Sequence, residues 1–186
     1  MMAPEPDLAY PIGRFLAPDA VDASARGGFV EQIAALPSAL RRAVEGLDRR
    51  RLDTRYRPGG WTVRQVVHHL PDSHLNAYVR FKLALTEEEP TIRPYDEAAW
   101  AELPDAVAGP IHLSLELLES IHARWLNCIR ALPADSFART FHHPALGVMS
   151  LDHQLALYAW HGRHHLAQVT SLAAREGWTK RGGVPS

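Results

Sequence analysis

Residues 62–85 read TVRQVVHHLPDSHLNAYVRFKLAL, and their pattern predicts one long amphipathic helix. Thr62 and Gln65 have the spacing of a capping box, in which a hydroxyl and an amide satisfy the first backbone N–H groups of a helix. Pro71 falls inside the segment and removes one backbone hydrogen bond, so we expect a bend there. The apolar side chains recur at three- and four-residue steps, which predicts one buried face: Val63, Val66, Val67, Leu70, Ala77, Tyr78, Phe81 and Leu85.

Three further segments have the same helical periodicity. They cover residues 28–47, 111–132 and 150–177, and Ser150 and Gly177 suit the start and the end of the last one. Few segments alternate between apolar and polar residues in the manner of strands. The sequence therefore predicts an all-α protein built as a four-helix bundle.

The segments outside these helices contain most of the prolines. Residues 1–24 predict an irregular N-terminal arm, and residues 133–149 a second irregular stretch. Residues 86–109 predict a long crossover connection with one helical turn around residues 96–103. Pro37 predicts a kink or a break in the first long helix.

The composition predicts a single domain covering residues 1–186, because a chain of this length with 46% hydrophobic residues can bury a substantial core. The formal net charge of -1 provides no basic field to attract nucleic acid or an anionic membrane surface. No segment has the length and apolarity of a membrane span, and the first residues lack the pattern of a signal peptide. Because Cys128 is the single cysteine, we expect a buried thiol and a cytoplasmic protein.

The chain contains 11 histidines, and histidine is the commonest protein ligand for zinc, nickel and copper. His161 and His165 are four residues apart, so their rings project from one helix face about 6 Å apart along the axis. Such a pair needs a further ligand, and His68, His69 and His74 are all candidates. His74 lies in the apolar stripe, where a hydrogen-bonded core histidine is the simpler interpretation. The other histidines show no mutual spacing, and we interpret them as surface or turn residues: His112, His122, His142, His143 and His153.

Several motifs together make the chain resemble the DinB superfamily, and within it the YfiT-like branch of metal-dependent hydrolases. They cover nearly the whole chain: Tyr10-Pro11-Ile12-Gly13, Gly60-Trp61-Thr62-Val63-Arg64-Gln65-Val66-Val67-His68-His69-Leu70, Asp72-Ser73-His74, Arg80-Phe81-Lys82, Ile92-Arg93-Pro94-Tyr95-Asp96-Glu97 with Trp100, and Tyr158 through Gln168. The resemblance implies a four-helix bundle whose metal is bound by one histidine of the second helix and an H-x-x-x-H pair of the last. Carried onto this sequence, the implied ligands are His69, His161 and His165.

The resemblance also implies one divalent ion per subunit, zinc or nickel, and a homodimer. Several relatives attach low-molecular-weight thiols, notably bacillithiol, to electrophiles, so a small thiol and an electrophile are the expected partners. The sequence departs from the family pattern at Pro71, two residues after an implied ligand.

Three neutral imidazoles leave a coordination position open, which is typical of catalytic metal sites. Our leading hypothesis is thiol transfer, because a metal lowers the pKa of a bound thiol and the thiolate is the reactive form. Hydrolysis by an activated water is the alternative and often needs a carboxylate base, for which Asp72 is the nearby candidate. A non-catalytic metal-binding or interaction module is the third hypothesis.

Overall fold

The computed structural model describes residues 7–178, which form seven α-helices, one 3₁₀ helix and one β-hairpin. The first and last residues of the predicted domain, 1–6 and 179–186, lie outside the described residues. In chain order the elements are α1 (Ala23–Val44), α2 (Arg49–Leu52), α3 (Val63–Thr86), α4 (Glu97–Ala101), α5 (Pro104–Ala108), α6 (Ile111–Arg130), the 3₁₀ helix (Ala134–Ala138), β1 (Thr140–His143), β2 (Gly147–Ser150) and α7 (Leu151–Arg175).

The long helices α1, α3, α6 and α7 form a four-helix bundle, as predicted. Both α1 and α3 pack against α6 and α7, so α1 and α3 lie diagonally across the bundle although they are consecutive long helices. The crossover from α3 to α6 contains the short helices α4 and α5, which pack on α3. None of the helices within residues 7–178 combines the length and apolarity that a membrane span requires.

The predicted ends of α3 and α7 are confirmed in atomic detail. The Thr62 side chain accepts from the Gln65 backbone N–H, and the Gln65 side chain accepts from the Thr62 backbone N–H. Ser150 accepts from the N–H of His153, and Gly177 has a φ of 66° just after the end of α7. Pro71 lies inside α3, which continues for a further 15 residues to Thr86.

The structure corrects three predictions of local structure. Helix α1 begins at Ala23 rather than near residue 28, because Asp22 caps it, and it continues through Pro37 without a break. Residues 133–149, predicted to be irregular, include the hairpin of β1 and β2. Cys128 is partly exposed, whereas the sequence predicted a buried thiol.

The apolar core has two parts, and a layer of polar side chains separates them. One part packs around Phe81, Trp125 and Leu155. The other packs around Leu40, Val67 and further residues toward the opposite ends of the same helices. The intervening turns of α3, α6 and α7 contribute buried polar residues, among them Ser73, His74, His122, His165 and Gln168. A polar layer in the middle of a bundle is a place where side chains of facing helices can build a site.

Candidate metal centre

Three histidine side chains from two helices meet in this layer. One ring nitrogen of each of His69, His161 and His165 lies within 4.8 Å of the other two, and among residues 7–178 this is the only such cluster of histidine, cysteine or acidic side chains. The Nε2 atoms of His69 and His161 are 3.3 Å apart. The four-residue spacing on α7 stacks His161 and His165 on one face, and α3 supplies His69 from across the bundle.

The structure also separates the three candidates on α3. The ring of His68 contacts Ser114 Oγ at 2.7 Å and the Gly109 carbonyl at 3.2 Å, away from the cluster. His74 is fully buried in the core, as the sequence predicted, and hydrogen-bonds to other side chains. His69 is therefore the histidine of α3 that joins the pair on α7.

The three rings are held in the neutral form, which has a lone pair available for a metal ion. Burial lowers the pKa of His69 to about 4, with a smaller effect from His164. Burial and the neighbouring histidines place the pKa of His161 well below its ordinary value. The pKa of His165 is also well below its ordinary value, because of burial and the proximity of His69 and His164. Neutral imidazoles are the form that zinc and nickel bind, so the donor set fits a divalent transition metal.

A hydrogen-bond relay fixes the tautomer of His165. The Gln168 amide nitrogen donates to the carbonyl oxygen of Ala9 at 3.2 Å, which orients the amide because a carbonyl can only accept. Gln168 Oε1 then faces His165 Nδ1 at 2.9 Å, so this nitrogen must carry the proton. The Nε2 atom of His165 is left with a lone pair, and such orienting partners are typical of metal-bound histidines.

A longer relay sets the tautomer of His161 and also ends at a backbone carbonyl. His122 Nδ1 donates to the Ile33 carbonyl at 2.8 Å, so His122 Nε2 accepts from His74 Nδ1 at 2.9 Å. His74 Nε2 in turn accepts from His161 Nδ1 at 3.3 Å. Burial lowers the pKa of both His74 and His122, so the relay consists of neutral rings. His161 Nε2 is therefore left unprotonated on the side of the cluster.

The sequence interpretation of His122 as a surface or turn residue is wrong. The side chain is 1% exposed. It lies four residues after Leu118 and three before Trp125, so it continues the buried stripe of α6. That register was the signal available in the sequence.

A cavity of about 390 Å³ opens onto the cluster. The Trp61 ring packs on His69 and His165 with centroid distances of 4.7 and 6.1 Å. The N-terminal arm contributes Tyr10, and the turn before α3 contributes Arg57. The cavity thus has aromatic walls, one cationic side chain and the three ring nitrogens at its inner end.

Comparisons with known proteins agree with this geometry. A family model described as DinB superfamily matches residues 32–169. The chain belongs to the DinB superfamily. It is 51% identical over 172 residues to proteins of Bacillus cereus and Bacillus anthracis, in alignments that cover 92% of this chain and 99% of each relative. Both relatives carry the name "Putative metal-dependent hydrolase".

Solved structures similar to this DinB protein include YfiT and TT2238. YfiT from Bacillus subtilis matches with a TM-score of 0.90 and 46% identity, covering 92% of this chain and 99% of YfiT. It is described as a probable metal-dependent hydrolase with an unusual four-helix bundle topology. The four-helix bundle protein TT2238 matches with a TM-score of 0.54 and 18% identity over 78% of this chain and 98% of its own, which supports the fold alone. The resemblance to the YfiT-like branch is confirmed.

The carboxylate that lines the cavity of this DinB protein is a different residue from Asp72, the candidate suggested by the sequence. Asp72 is half-buried, and burial, with the charge of Asp105 on α5, raises its pKa to about 6. Asp72 does not line the cavity, whereas Glu97, the first residue of α4, does. Glu97 is exposed to solvent at the cavity rim.

Proposed function

We propose that this DinB protein is a metal-dependent enzyme that transfers a low-molecular-weight thiol to an electrophile. His69, His161 and His165 are the proposed ligands of one zinc or nickel ion per chain. The observation that carries the proposal is the convergence of three neutral ring nitrogens within 4.8 Å of one another at the inner end of a cavity. A divalent ion bound there supplies a Lewis acid that lowers the pKa of a thiol.

The residues around the cluster prepare it for this chemistry. The relays that end at Ala9 and Ile33 orient His165 and His161, so little reorganisation accompanies binding of the ion. The Trp61 ring covers His69 and His165 and limits the access of water to them. A partly dehydrated site strengthens electrostatic stabilisation of a thiolate.

Two cavities that share His161 and Glu97 in their linings favour transfer over hydrolysis. The first has a volume of about 390 Å³ and the second about 370 Å³, and His161 and Glu97 line both. A transferase must bind two organic substrates next to one reactive position, whereas a hydrolase needs room for one substrate and a water molecule. The two cavities therefore support a reaction with two substrates.

Hydrolysis is the second candidate function, and Glu97 is the observation that favours it. This carboxylate lies on the rim of both cavities and could take a proton from a nucleophilic water. The names of the Bacillus relatives point to the same reaction class. In this case the three histidines keep their roles and Glu97 becomes the general base.

Incubation of the zinc-loaded protein with bacillithiol or glutathione and 1-chloro-2,4-dinitrobenzene tests the proposal. In the conjugation the sulfur–carbon bond forms, chloride leaves and the thiol proton passes to solvent. We expect metal-dependent conjugation that His161→Ala abolishes and that His112→Ala, an exposed histidine of α6, leaves unchanged.

The other results separate the alternatives. Equal conjugation by the protein and His161→Ala contradicts the proposal. Metal-dependent cleavage of p-nitrophenyl acetate without conjugation, lost in Glu97→Gln, selects hydrolysis. Zinc binding with neither activity selects the non-catalytic module.

The homodimer implied by the family resemblance stays a prediction. Analytical ultracentrifugation of the zinc-loaded protein tests it, with a sedimentation mass of twice the chain mass as the expected result. A monomer at micromolar concentrations contradicts it.

A further inference from the structure

The second cavity contains polar groups that the metal centre does not use. It is formed by α3, the segment before α4, the hairpin turn and α7, and its volume is about 370 Å³. Its polar lining includes Ser73, Arg80, Tyr95, His143, Tyr158 and His161. Because His161 belongs to both cavities, a molecule in the second cavity can contact one of the proposed metal ligands.

Arg80 is the unusual side chain in this cavity. Its Nε atom is buried and has no hydrogen-bond partner within residues 7–178. Two other arginines with little exposure are paired with carboxylates: Arg26 binds Asp152 through two bonds of 2.7 and 2.8 Å, and Arg64 binds Asp53 at 2.8 Å. An N–H group shielded from water without an acceptor is unfavourable, so Arg80 is arranged for a partner that enters the cavity.

A second donor faces the same cavity. The hydroxyl of Tyr95 is buried, has no well-formed hydrogen bond among the described residues, and has the Ser73 hydroxyl as a polar neighbour. Burial raises the pKa of Tyr95, so the group keeps its proton and can donate it in a hydrogen bond. Ser73 Oγ lies 3.5 Å from Tyr158 Oη, too far for a strong bond between these two hydroxyls. The cavity is therefore rich in donors.

The charges around the cavity limit the ligand to a single negative charge. Burial, and next the charge of Arg80, lower the pKa of His143, so this ring is not a second cation. Glu97 is the acidic residue in the lining, and it is exposed at the rim, where water screens its charge. One guanidinium beside neutral donors matches one carboxylate, whose planar oxygens fit the guanidinium edge.

We propose that Arg80 and Tyr95 form a subsite for the carboxylate group of a substrate. The inference rests on the proposed function, because it assigns the second cavity to one of the two substrates. The carboxylate accepts from Arg80 Nε and from the Tyr95 hydroxyl, and this anchors the substrate beside His161.

Titration of the zinc-loaded protein with 4-fluorobenzoate, followed by fluorine NMR, tests the subsite directly. The neutral 4-fluorobenzamide has nearly the same shape and serves as the reference ligand. We expect Arg80→Gln to raise the Kd of the benzoate about tenfold to a hundredfold, since a hydrogen bond to a charged group is lost, and Tyr95→Phe to raise it about threefold to tenfold. Arg50→Gln, which removes the same charge from an exposed position, is expected to leave the Kd unchanged.

An unchanged benzoate Kd in Arg80→Gln overturns the proposal, because the carboxylate is then held by the metal alone. If Arg80→Gln does not fold, Arg80→Lys replaces it: this variant keeps the charge but lacks the Nε–H, so we expect roughly tenfold weaker binding. Unchanged binding in Arg80→Lys then overturns the proposal.

The binding assay also keeps this inference separate from the proposed function. Arg80-dependent benzoate binding without any conjugation means that the thiol-transfer proposal fails and the subsite stands. Conjugation by a protein whose benzoate Kd does not change when Arg80 is replaced means that the subsite proposal fails and the thiol-transfer proposal stands.

Discussion

Replacing His122 with phenylalanine tests whether the long relay controls the proposed metal ligand. The substitution keeps a flat ring in the core but removes the donor to the Ile33 carbonyl and the acceptor for His74. His74 can then carry its proton on Nε2, which faces His161 Nδ1. The proton of His161 is thereby displaced toward Nε2, the nitrogen needed for the metal.

The substitution should lower both the free energy of unfolding and the affinity for zinc. The bonds of 2.8 and 2.9 Å disappear and leave the Ile33 carbonyl and His74 Nδ1 buried without partners. At about 1–3 kcal/mol for each such group, the free energy of unfolding should fall by about 2–6 kcal/mol. Disturbing an orienting partner of a metal ligand should weaken zinc binding about tenfold to a hundredfold.

His68→Phe is the matched control. His68 is also a buried histidine with two hydrogen bonds, and it is adjacent to His69 in sequence, but its partners are Ser114 and Gly109. Urea unfolding and competition with a chromophoric zinc chelator at pH 7.5 measure stability and affinity. We expect both variants to lose stability and only His122→Phe to lose zinc affinity. Equal zinc affinity in the two variants would refute the relay.

Three further predictions concern packing and charge. Gly162→Ala places a methyl group 2.5 Å from Leu36 Cδ2, where α7 crosses α1. Urea unfolding should therefore show that the free energy of unfolding falls by about 1–3 kcal/mol, while the zinc stoichiometry stays unchanged. Unchanged stability would contradict the close approach of the two helices. Asp152→Asn weakens the two hydrogen bonds to Arg26 that join α7 to α1, and we expect the free energy of unfolding to fall by about 1–3 kcal/mol. Because both side chains are less than 20% exposed, 1 M NaCl should change this loss little. Burial lowers the pKa of His122 from 6.5 to about 4, so the unfolded chain binds this proton at higher pH than the folded one. The contribution of His122 to the free energy of unfolding of the metal-free protein should therefore fall by up to about 3 kcal/mol as the pH decreases from 6.5 to 4. The measured loss over this range, to which the other buried histidines add, should be smaller by about that amount in His122→Phe.

The sequence predicted the bundle because its strongest signals are local. The capping box at Thr62 and the cap at Ser150 act within one helical turn, and the structure shows both. The start of α1 was missed because Gly27 and Gly28 have poor helix propensity. The pair between Arg26 and Asp152, 126 residues apart, stabilises that first turn and is invisible in the local pattern.

The hairpin was missed for a similar reason. Its strands have four residues each, too short for a clear alternation of apolar and polar positions. The backbone of His142 in β1 also bonds to Pro90 and Ile92 in the crossover. Such pairing between distant segments supports a strand that its own residues do not specify.

The candidate site also combines features that the sequence shows with features that depend on long-range contacts. The four-residue spacing of His161 and His165 is a local property and is visible in the sequence. The choice of His69 over His68 and His74 depends on how α3 is rotated against α7, and the helical pattern left it open until the family resemblance was considered. The roles of His122 and Gln168 depend on contacts across the bundle, to Ile33 and Ala9, which no sequence pattern shows.

A crystal structure of the zinc-loaded protein, with anomalous data at the zinc edge, tests the central claim most directly. We expect one anomalous peak per chain, with nitrogen atoms of His69, His161 and His165 each about 2.0–2.1 Å from the peak and at least one further position open to solvent. A peak bound by fewer than these three side chains, or located elsewhere in the chain, would contradict it.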